Sequence, residues 1–170
     1  MANFDLFINK LLRLEGGYVN HPNDKGGCTN KGITLPVFRG VYGAGLDCND
    51  LKKLTDEQAG IIYKKNFWDV CGADKIKNSQ VAYLLVDYAV NSGCRTAIKA
   101  IQRLLNVEVD GVVGSVTIGA INAYSDPFEL HSRLMNVRKN HYEKIVENNP
   151  SQKVFLKGWM NRLKEFEWKD

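Results

Sequence analysis

Phe4-Asp5-Leu6-Phe7-Ile8-Asn9-Lys10-Leu11-Leu12-Arg13-Leu14-Glu15-Gly16-Gly17-Tyr18 builds a helix and then stops it abruptly. Phe4, Phe7, Ile8, Leu11 and Leu12 recur at helical spacing, Asn3 can cap the start, and the glycine pair breaks the pattern. Glu15 is left where the helix ends against glycines. A carboxylate there faces open space instead of the next turn, which suits an acid catalyst.

Outward from this stretch, the chain reads as almost wholly helical. Tyr18 to Thr34 keeps no sustained period but holds four glycines or prolines, which predicts a structured loop or short hairpin. Thr34-Leu35-Pro36 reads as a helix start, with an end by Gly43. Thr55-Asp56-Glu57-Gln58 is a capping-box pattern opening a helix with Ala59, Ile62 and Tyr63 on one side. From Ser79 to Val90 apolar residues lie nearly all round, as in a helix buried at the centre of a domain.

Beyond Asn91-Ser92-Gly93 the helices become shorter and the turns sharper. Ala97, Ile98, Ile101, Leu104 and Leu105 form one amphipathic face, Asp110-Gly111 marks a turn, and Ser115 can cap the next helix. Asp126-Pro127 starts a long helix to about Glu147, and a last one, capped near Ser151, places Phe155, Trp159, Leu163 and Phe166 on one stripe. The change of pattern puts a boundary near residues 91 to 96, giving domains over 1–93 and 94–170. No flexible linker separates them, so the two are expected to pack together.

A chain of 170 residues holds one compact domain, or one plus a small helical extension. The net charge of +4 is a mild positive field, compatible with an anionic polymer without choosing one. No window holds the roughly 20 apolar residues of a membrane span. The N-terminus lacks a basic segment followed by an unbroken apolar run, which predicts neither a cleaved signal peptide nor an anchor. Cys28, Cys48, Cys71 and Cys94 contain no Cys-x-x-Cys pair, so no zinc site is expected, and a chain of this kind is expected to keep reduced thiols. His21, His131 and His141 form no ligand set, and no metal is expected.

Glycoside hydrolysis needs a protonated carboxyl to meet the leaving oxygen and a second group to stabilise the cation-like centre or to direct water. Glu15, backed by Phe7, Leu11 and Leu12, can be held protonated by desolvation, while Asp24 in a wetter loop stays ionised. Thr29 follows five positions later. The same residues also read as a helix-terminal surface glutamate and a turn-forming aspartate. Tyr18, Tyr63, Phe67 and Trp68 offer flat faces for sugar rings or serve as core. Asn91 can bond a sugar N-acetyl group or cap its helix. Asp87, in an apolar helix, must have a partner, either near a site or in Arg95 or Arg103. The basic residues after Arg133 read as a solvated face or a contact for carboxylates.

Glu15-Gly16-Gly17-Tyr18, Asn20 to Gly27 and Thr29 to Thr34 resemble the signature of the glycoside hydrolase family 108 muramidases. The likeness continues through Tyr63 to Asp69 and Asp87 to Gly93. Ala97 to Asn122, with Val109-Asp110-Gly111-Val112-Val113-Gly114, is similar to the peptidoglycan-binding domain that accompanies that family. The resemblance implies a mainly α protein, a lysozyme-like helical domain packed against a small helical peptidoglycan-binding-like domain. It implies cleavage of the β-1,4 bond between N-acetylmuramic acid and N-acetylglucosamine, with Glu15 as general acid.

The order Glu, Asp, Thr also resembles phage-type lysozymes, in which the Asp and Thr hold the attacking water. The interval from Asp24 to Thr29 is one residue shorter than in that group, which weakens the match at Thr29. The site expected is therefore Glu15, Asp24 and Thr29, with Tyr18, Tyr63, Trp68 and Asn91 binding substrate and no cofactor. Peptidoglycan glycan strands are the partner, with no nucleic acid and no membrane anchor. The protein is expected to be made in the cytoplasm and to reach the wall by release or another export route. The rival reading is a non-catalytic wall-binding or secretion-assisting protein that keeps the fold.

Overall fold

The computed structural model describes residues 1–20 and 27–169. Asp24 and His21 lie outside the described residues. The chain forms two compact units, one over Phe4–Asn66 and one made of Met1–Asn3 with Phe67–Asp170. The protein is mainly α, as the periodicity predicts, with one two-stranded sheet among the described residues.

In the first unit, α1 (Phe4–Leu14) buries Phe7, Ile8 and Leu11, and its chain continues past Glu15, whose N–H donates to the Leu11 carbonyl at 3.0 Å. Strands β1 (Thr29–Asn30) and β2 (Ile33–Thr34) form an antiparallel hairpin with Thr29 opposite Thr34 and Asn30 opposite Ile33. Lys31 and Gly32 turn it with φ of 50° and 72°. Two successive positive φ values suit the right-handed twist of a two-residue hairpin turn. Val19 extends the ladder, exchanging two 2.8 Å backbone hydrogen bonds with Thr29.

Then follow α2 (Leu35–Tyr42), α3 (Cys48–Lys52) and α4 (Asp56–Tyr63). Both arms of the Thr55 capping box form, and Asp47 makes a second one with Asp50 at α3. Helix α3 has no counterpart in the sequence pattern, since five residues carry too little apolar period. Phe38, Leu51, Leu54, Ala59 and Ile62 are buried with the α1 side chains. Cys28 and Cys48 are joined by a disulfide with their Cα atoms 5.9 Å apart, correcting the expectation of four reduced thiols.

In the second unit, α5 (Ser79–Ser92) is the central helix, and α6 (Cys94–Leu104), α7 (Ser115–Ala123), α8 (Pro127–Asn148) and α9 (Lys153–Lys164) follow. Helix α5 packs on α6 and α8, so it shares their compact unit although it precedes the change of pattern at residues 91 to 96. Asp87 on α5 is fully buried; Arg138 of α8 reaches it at 2.6 Å and Arg162 of α9 at 2.7 Å. These replace Arg95 and Arg103, the nearer arginines in sequence. A carboxylate taken out of water needs charged partners, and two guanidiniums here supply them.

Candidate active site

Glu15 ends up against the hairpin turn because Gly32 has no side chain. A Cβ built on Gly32 would overlap the Glu15 carboxylate, with Glu15 Cδ at 2.8 Å and the Tyr63 hydroxyl at 2.6 Å. Carboxylate and hydroxyl therefore converge on one point of the turn. The Tyr63 hydroxyl also donates to the Lys31 carbonyl at 2.8 Å, which ties the end of α4 to the same turn.

A hairpin with two residues per strand has little stability of its own. Here it is fastened on several sides. The Cys28–Cys48 disulfide and the buried Asn30 side chain hold β1 to α3, the amide of Asn30 donating to the Leu51 and Lys52 carbonyls at 2.9 and 3.2 Å. Lys31 pairs with Asp56 of α4 at 2.5 Å. With α1 supplying the carboxylate and the fastened turn its backstop, the position of Glu15 is set by folded elements on both sides. Such support is what a site needs to keep a reacting group in one geometry.

Of the other residues expected at the site, Thr29 lies in β1, partly exposed, beside Val19. Tyr18 is also partly exposed, with the Lys52 ammonium 5.7 Å from its ring centroid. These two and Tyr63 belong with Glu15 to the first unit. Tyr63 is only 2% exposed, so its ring is core and its hydroxyl is what reaches the turn. The expectation of a stacking face there gives way to a supporting role. Trp68 is likewise buried, its indole N–H donating to Asp74 at 2.8 Å, and a ring without a free face cannot stack on a sugar.

Trp68 and Asn91 belong to the second unit. With its amide oxygen turned to Arg162, Asn91 accepts from Nε at 2.6 Å and Nη2 at 3.1 Å. That places it beside the Asp87 ion cluster. Asn30, Lys31 and Gly32 lie within the signature stretch Thr29 to Thr34 and read as a turn signal, and the fold adds that this turn is what Glu15 and Tyr63 meet. A cavity of about 390 Å³ in the first unit lies between α1 and α4, lined by Phe4, Ile8, Leu12, Asp56, Gly60 and Lys64 among others, and Glu15 is not part of it. The shared backstop of Glu15 and Tyr63 carries more chemical content than this groove.

Residues 8–93 match the family model for glycosyl hydrolase 108, and residues 96–164 match that for a predicted peptidoglycan domain. Among solved structures, SagA of Brucella abortus is similar at 30% identity and a TM-score of 0.80, over 96% of this chain and 90% of that one. No curated protein matches the chain.

Proposed function

Because the chain belongs to the glycosyl hydrolase 108 family, we propose that it is a muramidase cleaving the β-1,4 bond between N-acetylmuramic acid and N-acetylglucosamine in bacterial peptidoglycan. The observation that carries this reading is the Glu15 carboxyl seated against the Gly32 turn beside the Tyr63 hydroxyl.

In this mechanism Glu15 gives its proton to the glycosidic oxygen as the bond breaks, so the leaving sugar departs as an alcohol. A second carboxylate, assigned to Asp24, stabilises the cation-like sugar centre or, together with Thr29, orients the incoming water. Tyr18, partly exposed after the glycine pair, is the remaining aromatic of the first unit that this reading places against a sugar ring. The match over residues 96–164 supports peptidoglycan as the polymer engaged. On this reading the protein acts at the wall after release or export by another route.

The test is clearing of a peptidoglycan suspension between pH 4 and 8, with identification of the reducing-end sugar of the fragments. We expect muramic acid at the new reducing ends and loss of clearing in Glu15→Gln by about 100-fold or more, the scale of an acid–base contribution. Undiminished clearing by Glu15→Gln would remove Glu15 from the mechanism. No clearing by the unmodified protein, with retained pelleting on peptidoglycan, would instead identify a wall-binding protein.

A further inference from the structure

Phe4, Ile8 and Leu12 recur every fourth residue along α1, and with Gly60 and Ile61 of α4 they line the groove of about 390 Å³ in the first unit. Gly60 keeps its floor open, since a Cβ there would stand 3.8 Å from Ile8 and 4.0 Å from Phe4. The two helices run antiparallel: Lys64, after the end of α4, lies with its ammonium 5.9 Å from the Phe4 ring centroid, while Gly60 meets Ile8. Leu12 therefore lies toward the start of α4. Asp5, Asp56 and Glu57 bring three carboxylates to the lining against the one ammonium of Lys64. Asp56 is paired with Lys31, and Asp5 and Glu57 are exposed. The groove is thus locally negative in a chain of net charge +4.

We propose that this groove is a subsite for the peptide stem carried by muramic acid, and that its carboxylates recognise the free amine of the stem's diamino acid. The proposal rests on the muramidase reading for the identity of the polymer and adds a preference for stems that are not cross-linked.

Two observations favour this occupant. The first is continuity with the candidate active site. Leu12 precedes Glu15 by three residues, about 4.5 Å along the helix, and the Glu15 N–H still bonds to the Leu11 carbonyl. At the same end Asp56 holds Lys31, the residue before Gly32, against which the Glu15 carboxylate sits. A stem leaves the glycan at the muramic acid whose bond is cut, so a groove that starts beside the acid is where it can lie. From Leu12 to Phe4 the groove runs about 12 Å, and an extended peptide of four residues spans about 13–14 Å. The second observation is charge. Alanine methyls of a stem suit the apolar lining, and an ammonium on its diamino acid suits Asp5 and Glu57. Cross-linking acylates that amine and removes the charge, so a cross-linked stem loses the ion pairs.

The experiment compares three soluble glycan substrates: strands with tetrapeptide stems, the same strands with the stem amine acetylated, and strands stripped of stems by an amidase. Cleavage is read as kcat/KM from reducing-end release. We expect acetylation to lower kcat/KM by about 5-fold, the scale of exposed ion pairs, and the stripped strands to be cut more slowly still. In the double variant Asp5→Asn, Glu57→Gln the ratio between free and acetylated stems should fall to about one. Bulk charge predicts the opposite order, because acetylated strands are more anionic and the protein is basic. Equal cleavage of all three substrates, a preference for the acetylated strands, or an unchanged ratio in the double variant would overturn the proposal while leaving the muramidase reading in place. If no strand is cleaved, the muramidase reading fails and the groove is decided by titrating isotope-labelled protein with a free muramyl tetrapeptide. Shifts of the Ile8, Gly60 and Ile61 amides that weaken in the double variant support the groove, and unshifted amides overturn it.

Discussion

Gly32→Ala tests whether the hairpin turn sets the position of Glu15. Gly32 has φ of 72°, a conformation that costs a residue with a Cβ about 1–2 kcal/mol. The new methyl also meets the Tyr63 hydroxyl at 2.6 Å and the Glu15 carboxylate. Tyr63 has little room to yield, being 2% exposed and bonded to the Lys31 carbonyl, so the half-exposed Glu15 is the group that moves. Restoring an ordinary contact displaces the carboxylate by about 1 Å, a misplacement worth about 100-fold in rate. Gly93→Ala is the matched control: φ is 86° there, and nothing lies within 4 Å of the added carbon. Initial rates of reducing-end release and thermal melts on both variants decide the matter. Both should lose stability while Gly32→Ala alone loses about 100-fold in rate. Equal rates in the two variants would refute the reasoning.

Replacing Cys28 and Cys48 together by serine opens a loop of 20 residues and should cost about 3 kcal/mol, read from urea unfolding of oxidised protein. Asp87→Ala leaves Arg138 and Arg162 facing each other without their carboxylate; since Asp87 and Arg138 are fully buried, a loss of about 3–5 kcal/mol is expected in the same measurement. Burial lowers the pKa of both His131 and His141, with Arg138 adding to the effect at His141. The unfolded chain therefore takes up protons first, so the stability they contribute is complete above about pH 6.5 and is lost as pH falls through the folded values. His131 Nε2 is buried with no partner, so His131→Phe should flatten the fall of melting temperature below about pH 6.5; an unchanged slope would exclude this histidine as a cause.

Much of the helical scaffold is legible because its signals are local. The apolar spacing of α1, the reciprocal Thr55 and Gln58 contacts and the all-round burial of α5 each depend on residues within a few turns of one another. What escapes the sequence is pairing at a distance. Cys28 and Cys48 are ordinary until the hairpin and α3 are known to meet, and α3 itself signals its presence only through Asp47 and Asp50. Asp87 announces that it needs a cation, yet its partners lie 51 and 75 residues away, beyond the arginines a local reading selects. Gly32 looks like punctuation. Its second duty, leaving space for a carboxylate from α1, is a tertiary property.

The same division separates Glu15 from its surroundings. Glu15 is defined by where a helix stops, and a helix stop is written in consecutive residues. Its backstop is a hairpin of two residues per strand, held by one disulfide, one buried amide, one ion pair and one tyrosine hydroxyl. None of these fastenings is large alone. Together they make the geometry at Glu15 depend on the oxidation state of Cys28 and Cys48, because reduction removes the covalent tie and leaves β1 on α3 by the Asn30 amide. On the proposed muramidase reading, reduction should therefore lower the rate of peptidoglycan cleavage before it unfolds the second unit, whose Asp87 cluster is independent of that disulfide.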